Sequence, residues 1–238
     1  MSIDPQPLCV SNLLLIPKFN GVRDNTKAAK LLNDTSKIDS FRLVQDLRLL
    51  NKNTLSVERT NKVCLDDFIK NLNNKIVSTL DILSAYYHIE LTDRAKKLTA
   101  FYLGTKTYVW RRMTQGLISA ASTLTRLWSL IFNIDTFNEF KSQLNEMESQ
   151  IFNYTSYDEF IQAYFDDFFV FTDNIEQHKI ALRAVLSAFK KANIRLSPGK
   201  CEIAVTRFKV LGYELDTINQ HSQMDEARIQ SILDWPRP

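Results

Sequence analysis

The chain has few of the residues that break, cross-link or loosen a fold. Its 238 residues include only five glycines, well below the roughly 7% of average usage. The three cysteines, Cys9, Cys64 and Cys201, are odd in number and widely spaced without a CxxC pair. This pattern argues against both a disulfide framework and a zinc site. We see no repeat, no low-complexity tract and no Pro/Gly/Ser linker, so one continuous α+β chain is predicted.

Long apolar runs are also missing. No run approaches the roughly 18 residues of a membrane span. The N-terminus lacks the basic region, apolar stretch and cleavage site of a secretory signal. We therefore expect a soluble, unsecreted protein in the cytoplasm.

The charge of the chain is nearly balanced overall but uneven along it. The formal net charge is only +3, yet between Lys18 and Lys52 eight basic residues face four acidic ones. The rest of the chain therefore sums to −1. Such a basic N-terminal region would suit phosphate contacts, although a solvated charged face is the commoner origin of a cluster of this kind.

The spacing of apolar residues predicts a mixture of strands and helices. Strands are expected at residues 10–16, 41–47 and 76–82, in a hairpin of 98–102 with 106–112, and in a strand pair at 208–215. Helices are expected at residues 26–32, 65–72 and 175–192, and in one long helical region from about 120 to about 152.

Two adjacent carboxylates, Asp166 and Asp167, stand between the aromatic runs 160–165 and 168–171. Two ionised groups in a half-buried apolar setting repel each other and lose hydration. A divalent cation would remove this cost, and flanking strands with a turn at the pair would direct both carboxylates to one point. The alternative is a solvated Asp-Asp turn, which is a common use of this residue.

A two-metal site needs a carboxylate from a second segment, because the cations lie roughly 3.5–4 Å apart and share a ligand. Asp81 is the candidate, since it interrupts the apolar strand pattern of residues 76–82. Its alternative role is the N-cap of a helix that begins near Ser84.

Five segments, in this order, resemble the reverse transcriptase domain of retroviruses and LTR retrotransposons. They are similar to the fingers strand with its Asn-Lys turn, the first catalytic motif, the Pro-Gln-Gly segment, the Tyr-x-Asp-Asp box and the primer grip. The segments are residues 41–52 (FRLVQDLRLLNK), 78–89 (STLDILSAYYHI), 113–116 (MTQG), 164–167 (YFDD) and 208–213 (FKVLGY). The resemblance covers most of residues 12–238.

The resemblance implies a catalytic group and its metals. Asp81, Asp166 and Asp167 would bind two Mg²⁺ ions, for which Mn²⁺ can substitute. One ion would lower the pKa of the primer 3′-hydroxyl, and the other would stabilise the leaving pyrophosphate. Lys200 matches a lysine proposed to protonate the pyrophosphate, with a solvated turn lysine as the alternative.

The resemblance also implies contacts with the incoming nucleotide. Arg42 matches the fingers arginine that contacts the triphosphate, and Lys37 is the nearest candidate for the lysine that usually assists it. Tyr86 matches the steric gate that excludes a 2′-hydroxyl; its alternative role is a core aromatic. Four further residues are assigned to the nucleotide site: Ile82 and Ala85 through backbone groups, Gln115 near the 3′ end of the sugar, and Phe165.

Template and primer contacts are implied for a third set of residues. Asp46 and Arg48 would contact the template, or Asp46 would simply hold Arg48 in place. Leu211, Gly212 and Tyr213 would grip the primer, with Gly212 allowing close approach of its backbone.

The chain departs from the family pattern at several places. Thr114 stands where proline is usual, residues 118–122 lack a second common proline, and residues 19–40 are longer than the usual fingertip. Residues 135–157 resemble an insert without an assigned role. The segment from Trp235 to Pro238 resembles the passage from palm to thumb, so thumb, connection and RNase H regions are expected to be missing from this chain.

The implied architecture is a right-hand polymerase with an antiparallel palm sheet, a catalytic hairpin backed by helices, and no thumb. Residues 1–55 and 89–119 would form the fingers, 56–88 and 120–215 the palm, and 216–238 the end of the palm.

The implied function is RNA-directed DNA synthesis on an RNA or DNA template-primer, with dNTP as substrate. The chain would be part of a longer pol polyprotein with thumb and RNase H, within a virus-like particle or virion core if the element is active. A catalytically inactive or domesticated nucleic-acid-binding module of the same fold is the alternative. An RNA-dependent RNA polymerase is disfavoured by Tyr86 and by Tyr-x-Asp-Asp in place of Gly-Asp-Asp.

Overall fold

A computed structural model describes residues 2–3, 7–17, 41–55, 65–103, 105–164, 166–210 and 212–234. The chain divides into two compact units. Unit 1 comprises Met1–Glu58 and Tyr86–Ser122, and unit 2 comprises Arg59–Ala85 and Thr123–Pro238. The assignment of fingers and palm, with the boundaries given above, stays a prediction. Lys37 and the helix expected at 26–32 lie outside the described residues, as does the segment 235–238.

The described residues form thirteen strands, eight α-helices and three 3₁₀ helices. The strands are β1 (Ser2–Ile3), β2 (Val10–Ser11), β3 (Leu13–Pro17), β4 (Phe41–Gln45), β5 (Ile76–Asp81), β6 (Ala100–Leu103), β7 (Lys106–Val109), β8 (Ile161–Tyr164), β9 (Asp167–Thr172), β10 (Glu202–Val205), β11 (Arg207–Val210), β12 (Tyr213–Asp216) and β13 (His221–Met224). The helices are α1 (Arg48–Lys52), α2 (Leu65–Asn71), α3 (Asp93–Leu98), α4 (Ala120–Ile131), α5 (Ile134–Lys141), α6 (Glu146–Ile151), α7 (Ile175–Lys191) and α8 (Glu226–Leu233), and the 3₁₀ helices are Ala85–His88, Tyr157–Glu159 and Pro198–Lys200. No described helix is long and apolar enough to cross a membrane.

Unit 1 contains a four-stranded sheet in the order β1-β7-β6-β2 and a separate antiparallel pair, β3 with β4. The single strand predicted for residues 10–16 is therefore wrong. The chain breaks at Asn12, whose carbonyl accepts the Asp46 N–H. The two halves then pair with different sheets, because β2 runs parallel to β6 whereas β3 pairs with β4.

The core of unit 1 is aromatic and contains a buried amide. Leu91, Phe101, Trp110, Met113 and Ala120 form its centre. The buried Gln45 side chain donates to the carbonyls of Thr99 and Ala100 and accepts from the Trp110 indole at 2.9 Å. The amide is thus satisfied on both sides, which removes the cost of burying it.

Unit 2 is built on an antiparallel sheet in the order β10-β5-β9-β8. Its central strand β9 is buried from Phe168 to Thr172. Phe168 faces the aromatic rings of α4 and α7, whereas Phe169 and Phe171 pack on the other side with α2 and the β11-β12 hairpin. An apolar run without alternation is what a strand covered on both faces requires. The predicted α+β class, with an antiparallel sheet and a hairpin backed by helices, is confirmed.

The helical region expected from about 120 to about 152 is present, and it consists of three separate helices. Asn133 and Asn145 interrupt it as N-caps, each accepting a backbone N–H three residues later. At Asn145 the Glu148 side chain completes a capping box. Asparagine competes with the helical backbone for hydrogen bonds, so it starts new helices inside an otherwise periodic pattern.

The insert-like region 135–157 adds an aromatic cluster to unit 2. Phe137 and Phe152 are fully buried. They pack in tilted and edge-to-face arrangements against each other and against Phe140, Tyr157 and Phe160, at centroid distances of 5.2–6.3 Å. The region is therefore an extension of the hydrophobic core rather than a solvated loop.

The helix expected at residues 175–192 is confirmed as α7, with Asn174 as its N-cap. Leu186 lies on the outer side of this helix and is 45% exposed. Small residues, Ala181, Ala184 and Ala188, are buried instead. Close packing on the sheet selects them, because they let the helix approach β9.

Candidate functional site

The adjacent aspartates lie at the turn of the hairpin formed by β8 and β9. Tyr164 pairs with Asp167, so two residues connect the strands. Asp166 is one of them and is partly buried. Phe165 is the other and lies outside the described residues. The strand-turn-strand reading of this segment is confirmed.

Asp81 lies beside this turn. It is the last residue of β5 and pairs directly with Asp167 on β9. Directly opposed residues in an antiparallel pair have Cβ atoms roughly 4.5–5.5 Å apart. A 3₁₀ helix begins at Ala85, so Asp81 does not occupy its N-cap position. The register of two strands therefore brings together carboxylates that are 86 residues apart in sequence.

Lys200 is fixed near Asp81 by the segment that lies along the other edge of β5. The Ser197 N–H donates to the Asp81 carbonyl at 2.9 Å, and the Leu83 N–H donates to the Arg195 carbonyl. Further along, Glu202 of β10 pairs with Thr79. Between these anchors the Lys200 Nζ lies 3.4 Å from Asp81 Oδ2. The predicted catalytic residues of unit 2 thus lie close together, at the end of β5 and the start of β9.

The electrostatics of this cluster match its crowding. Asp167 keeps an exposed face, yet burial of its carboxyl is the largest cause that raises its pKa. Repulsion by Asp166 and Asp81 raises the pKa further, and Lys200 opposes the shift. A group disfavoured in its charged form by neighbouring carboxylates gains from a cation placed among them.

The donor set fits a divalent metal in kind, because carboxylate oxygens are the ligands that Mg²⁺ prefers. Its arrangement is not that of an assembled metal cluster. Across the described ranges, no three Asp, Glu, His or Cys side chains are arranged around a common point as ligands of a bound ion would be. Lys200 supplies the positive charge near Asp81 instead.

A cleft of about 380 Å³ opens beside these carboxylates. It runs from β5 and β9 to the β11-β12 hairpin and has a mixed polar and apolar wall. Its lining residues are Thr79, Leu80, Asp81, Asp167, Phe168, Phe169, Lys200, Glu202, Arg207, Phe208, Lys209 and Glu214. The sequence pattern indicated Asp81, Asp167 and Lys200 but missed the basic residues Arg207 and Lys209, whose signal is only their alternation on β11.

A buried polar network supports β5 from behind. The Ala204 N–H donates to Ser78 Oγ at 2.9 Å, and Ser78 Oγ lies 2.7 Å from His178 Nε2. His178 Nδ1 lies 2.9 Å from Thr172 Oγ1. Burial lowers the pKa of His178 to about 4, so this side chain is neutral at pH 7. The network ties α7 to three strands of the sheet, and the sequence pattern gave no sign of it.

Two of the predicted nucleotide-site residues lie in the chain just after Asp81. Ile82 and Ala85 are 4% and 1% exposed, so only their backbone groups are available for a ligand. Ile82 pairs with Leu196 between the two flanking hydrogen bonds described above. In such a pair the residue's own N–H and C=O are directed away from the partner strand.

The other predicted nucleotide-site residues belong to unit 1. Tyr86 is partly buried and packs against the unit 1 core, which agrees with its alternative role as a core aromatic. Gln115 is exposed and precedes Gly116, whose φ is +91°. Arg42 lies in β4 opposite Ile16, and its side chain lies outside the described residues.

The predicted template residues Asp46 and Arg48 bind each other. The Arg48 guanidinium donates to both carboxylate oxygens of Asp46, at 2.9 and 2.7 Å. This pairing, with the Arg48 backbone N–H, lowers the pKa of Asp46 to about 2. Arg48 remains 89% exposed, so Asp46 orients a cation that stays available to a phosphate.

The predicted primer residues surround the β11-β12 turn. Gly212 has a φ of +80°, and a Cβ there would lie 2.6 Å from a guanidinium nitrogen of Arg228. The positive φ explains the glycine within the fold itself, whereas the flexible Arg228 side chain could move away from a Cβ. Tyr213 is partly buried, with the Arg228 guanidinium 5.8 Å from its ring centre. Leu211 lies outside the described residues, and the primer contacts stay predictions.

Comparisons with known proteins agree with this geometry. Residues 25–215 match the family described as reverse transcriptase (RNA-dependent DNA polymerase). Polyprotein P3 of Commelina yellow mottle virus is 29% identical over 73% of this chain, and the Pol polyprotein of the Drosophila melanogaster transposon gypsy is 25% identical over 83%. The chain spans only 8% and 17% of their respective lengths.

Solved structures of foamy viral protease-reverse transcriptase share the fold. The structure in complex with RNA/DNA hybrid is similar over 100% of this chain and 32% of that chain, with a TM-score of 0.62 and 18% identity. A second, in complex with double-stranded DNA, gives a TM-score of 0.64 at 18% identity and covers 42% of that chain. At this identity the similarity shows a common fold.

Proposed function

The chain belongs to the reverse transcriptase family, and we propose on this premise that it is the fingers-palm core of an RNA-directed DNA polymerase. It would add dNTP to the 3′-hydroxyl of a primer paired with an RNA or DNA template. The observation that carries the proposal is the register that sets Asp81 opposite Asp167, next to Asp166 and Lys200.

In the proposed reaction the primer 3′-hydroxyl loses its proton to solvent water and its oxygen forms a bond to the α-phosphorus of the dNTP. The bond from that phosphorus to the bridging oxygen breaks, releasing pyrophosphate. Asp81, Asp166 and Asp167 would hold two divalent cations. When bound, these ions would activate the 3′-hydroxyl and neutralise the developing charge on pyrophosphate. The raised pKa of Asp167 supports this assignment.

Side chains of the protein would supply the remaining steps. Lys200, which lies 3.4 Å from Asp81, would donate a proton to the departing pyrophosphate. Arg42 would bind the triphosphate, whose oxygens suit a planar guanidinium. Tyr86 would exclude ribonucleotides, while Gln115, Phe165 and the backbone of Ile82 and Ala85 would complete the nucleotide contacts.

The polynucleotide and the protein context are also proposals. The related foamy viral structures contain an RNA/DNA hybrid and double-stranded DNA, which supports a duplex template-primer as partner. Several relatives are named as polyproteins, which supports a longer pol polyprotein that provides a thumb and an RNase H. We place its activity in the cytoplasm, in a virus-like particle or virion core if the element is active.

The test is primer extension with Mg²⁺ by the chain within its longer polyprotein. Asp166→Asn should abolish extension, whereas Asp158→Asn, an exposed aspartate eight residues earlier in the chain, should not. Intact extension by the Asp166→Asn variant would show that the catalytic assignment is wrong. A non-catalytic module would instead bind template-primer with no tightening on addition of dNTP.

A further inference from the structure

The loop that contains Gln115 is bound by an asparagine from a distant part of unit 1. Asn51, in helix α1, donates its Nδ2 hydrogen to the Gly116 carbonyl at 2.8 Å. Its Oδ1 accepts the Ile118 backbone N–H at 2.9 Å. One carboxamide therefore bridges both ends of the three-residue segment that follows Gln115, although 65 residues separate Asn51 from Gly116.

The identity of the side chain follows from the chemistry of its partners. One partner is an acceptor and the other a donor, so the bridging group must have both functions in one plane. A carboxylate would set an oxygen against the Gly116 carbonyl, and an alanine would leave both backbone groups to solvent. The two contacts also fix which end of the amide holds the oxygen.

The rest of the loop is fixed by packing. Before Gln115, Met113 and Thr114 are 3% and 4% exposed, and the Met113 N–H donates to the Ile89 carbonyl. After it, Gly116 lies close to Leu47, since a Cβ at Gly116 would be 3.7 Å from Leu47 Cδ1. Leu47 immediately precedes α1, so the loop that contains Gln115 is held by contacts with α1 and with its N-cap residue.

We propose that Asn51 is a positioning residue for nucleotide binding, which acts by holding the 116–118 backbone so that Gln115 projects toward the substrate. The inference rests on the proposed function, because Gln115 is assigned to the nucleotide site there. Both side-chain hydrogen bonds of Asn51 go to the backbone of this loop, so its effect on nucleotide binding should pass through Gln115.

The first measurement is amide hydrogen exchange of residues 116–118 in the unliganded chain. Asn51→Ala should speed exchange of the Ile118 amide by about 3- to 10-fold, the range expected for loss of one net hydrogen bond. Asn51→Asp keeps the acceptor and should give a smaller increase. The matched control is Asn53→Ala, because the Asn53 side chain donates to the Leu49 carbonyl, within α1 and away from the Gln115 loop. Unchanged exchange of the Ile118 amide in Asn51→Ala would contradict the proposal that the Asn51 side chain holds the 116–118 backbone in place.

The second measurement is the tightening of a template-primer complex by dNTP, compared between single and double variants. Asn51→Ala and Gln115→Ala should each reduce the tightening by about 5- to 10-fold, and the double variant should lose no more than Gln115→Ala alone. Multiplying effects would show that Asn51 acts independently of Gln115 and would overturn the positioning role. If dNTP did not tighten the template-primer complex of the unaltered chain, the proposed function and the role of Asn51 in nucleotide binding would both be wrong. Hydrogen exchange would still show whether Asn51 holds the 116–118 backbone.

Discussion

Asp46 in unit 1 and Asp167 in unit 2 have opposite electrostatic surroundings. Unit 1 has 14 Lys and Arg against 8 Asp and Glu, whereas unit 2 has 16 against 19. In unit 1 the Arg48 guanidinium lowers the pKa of Asp46 to about 2. In unit 2 burial and neighbouring carboxylates raise the pKa of Asp167. The Asp46 carboxylate is thus paired with a cation of the protein itself, whereas the carboxylates around Asp167 repel one another and would be stabilised by a bound cation.

Under the proposed function, this difference would assign nucleic-acid binding to the surroundings of Asp46 and chemistry to those of Asp167. A basic unit with an exposed, oriented arginine suits the phosphates of a polynucleotide, whose binding is mainly electrostatic. A group of mutually repelling carboxylates suits divalent ions and phosphoryl transfer. A net charge of +3 for the whole chain hides both properties.

The largest effect should be the difference in primer extension between a variant that lacks the Asp81 carboxylate of unit 2 and one that lacks the Asp46 carboxylate of unit 1. Asp81→Asn removes a proposed metal ligand and should slow primer extension by on the order of 10³-fold. Asp46→Asn only loosens the orientation of Arg48 and should slow it by less than about 10-fold. Single-nucleotide extension with Mg²⁺ in the longer polyprotein measures both. Equal losses would erase the distinction between the units.

An intermediate effect should appear in the pH dependence of stability. Burial lowers the pKa of His178 to about 4, compared with about 6.5 in an unfolded chain. Because the pKa of His178 is lower in the folded chain than in the unfolded chain, neutral His178 makes its full contribution to the free energy of unfolding above about pH 6.5. This contribution is lost as the pH falls toward about 4. The total loss is about 3 kcal/mol.

Urea unfolding between pH 7 and pH 4 measures this loss in unit 2. His178→Gln should flatten the decline, whereas His221→Gln, an exposed histidine, should leave it unchanged. Parallel curves for the unaltered chain and His178→Gln would assign the acid sensitivity to other groups.

The smallest effect should be on salt dependence. Arg48→Ala should weaken template-primer binding a few-fold and reduce the slope of log K against log salt by about one, as expected for one lost phosphate contact. Arg183→Ala in unit 2 should leave the slope unchanged, because Arg183, which pairs with Glu148, is not among the proposed template and primer contacts. Titrations at several salt concentrations test both. An unchanged slope for Arg48→Ala would remove it from the interface.

Local patterns predicted most elements that bear the site. The apolar run after Asp167 predicted a strand, and the periodicity of residues 175–192 predicted α7, because both signals come from neighbours in sequence. The same reasoning failed at Asn133 and Asn145, where periodic apolar residues continued across two helix starts. Short capping hydrogen bonds decided those breaks, and a pattern of apolar positions does not contain them.

The sequence itself determined that two adjacent aspartates lie at a turn between apolar, aromatic strands, where ionising both of them is energetically unfavourable. Only the tertiary structure decided their partners. The register of β5 with β9 set Asp81 opposite Asp167. The chain segment along β5 brought the Lys200 Nζ to within 3.4 Å of Asp81 Oδ2. Likewise, Asn51 reached the loop of Gln115 across 65 residues. The physical reason is that periodicity records which face of an element is buried, whereas strand order and long-range hydrogen bonds depend on how separate elements pack.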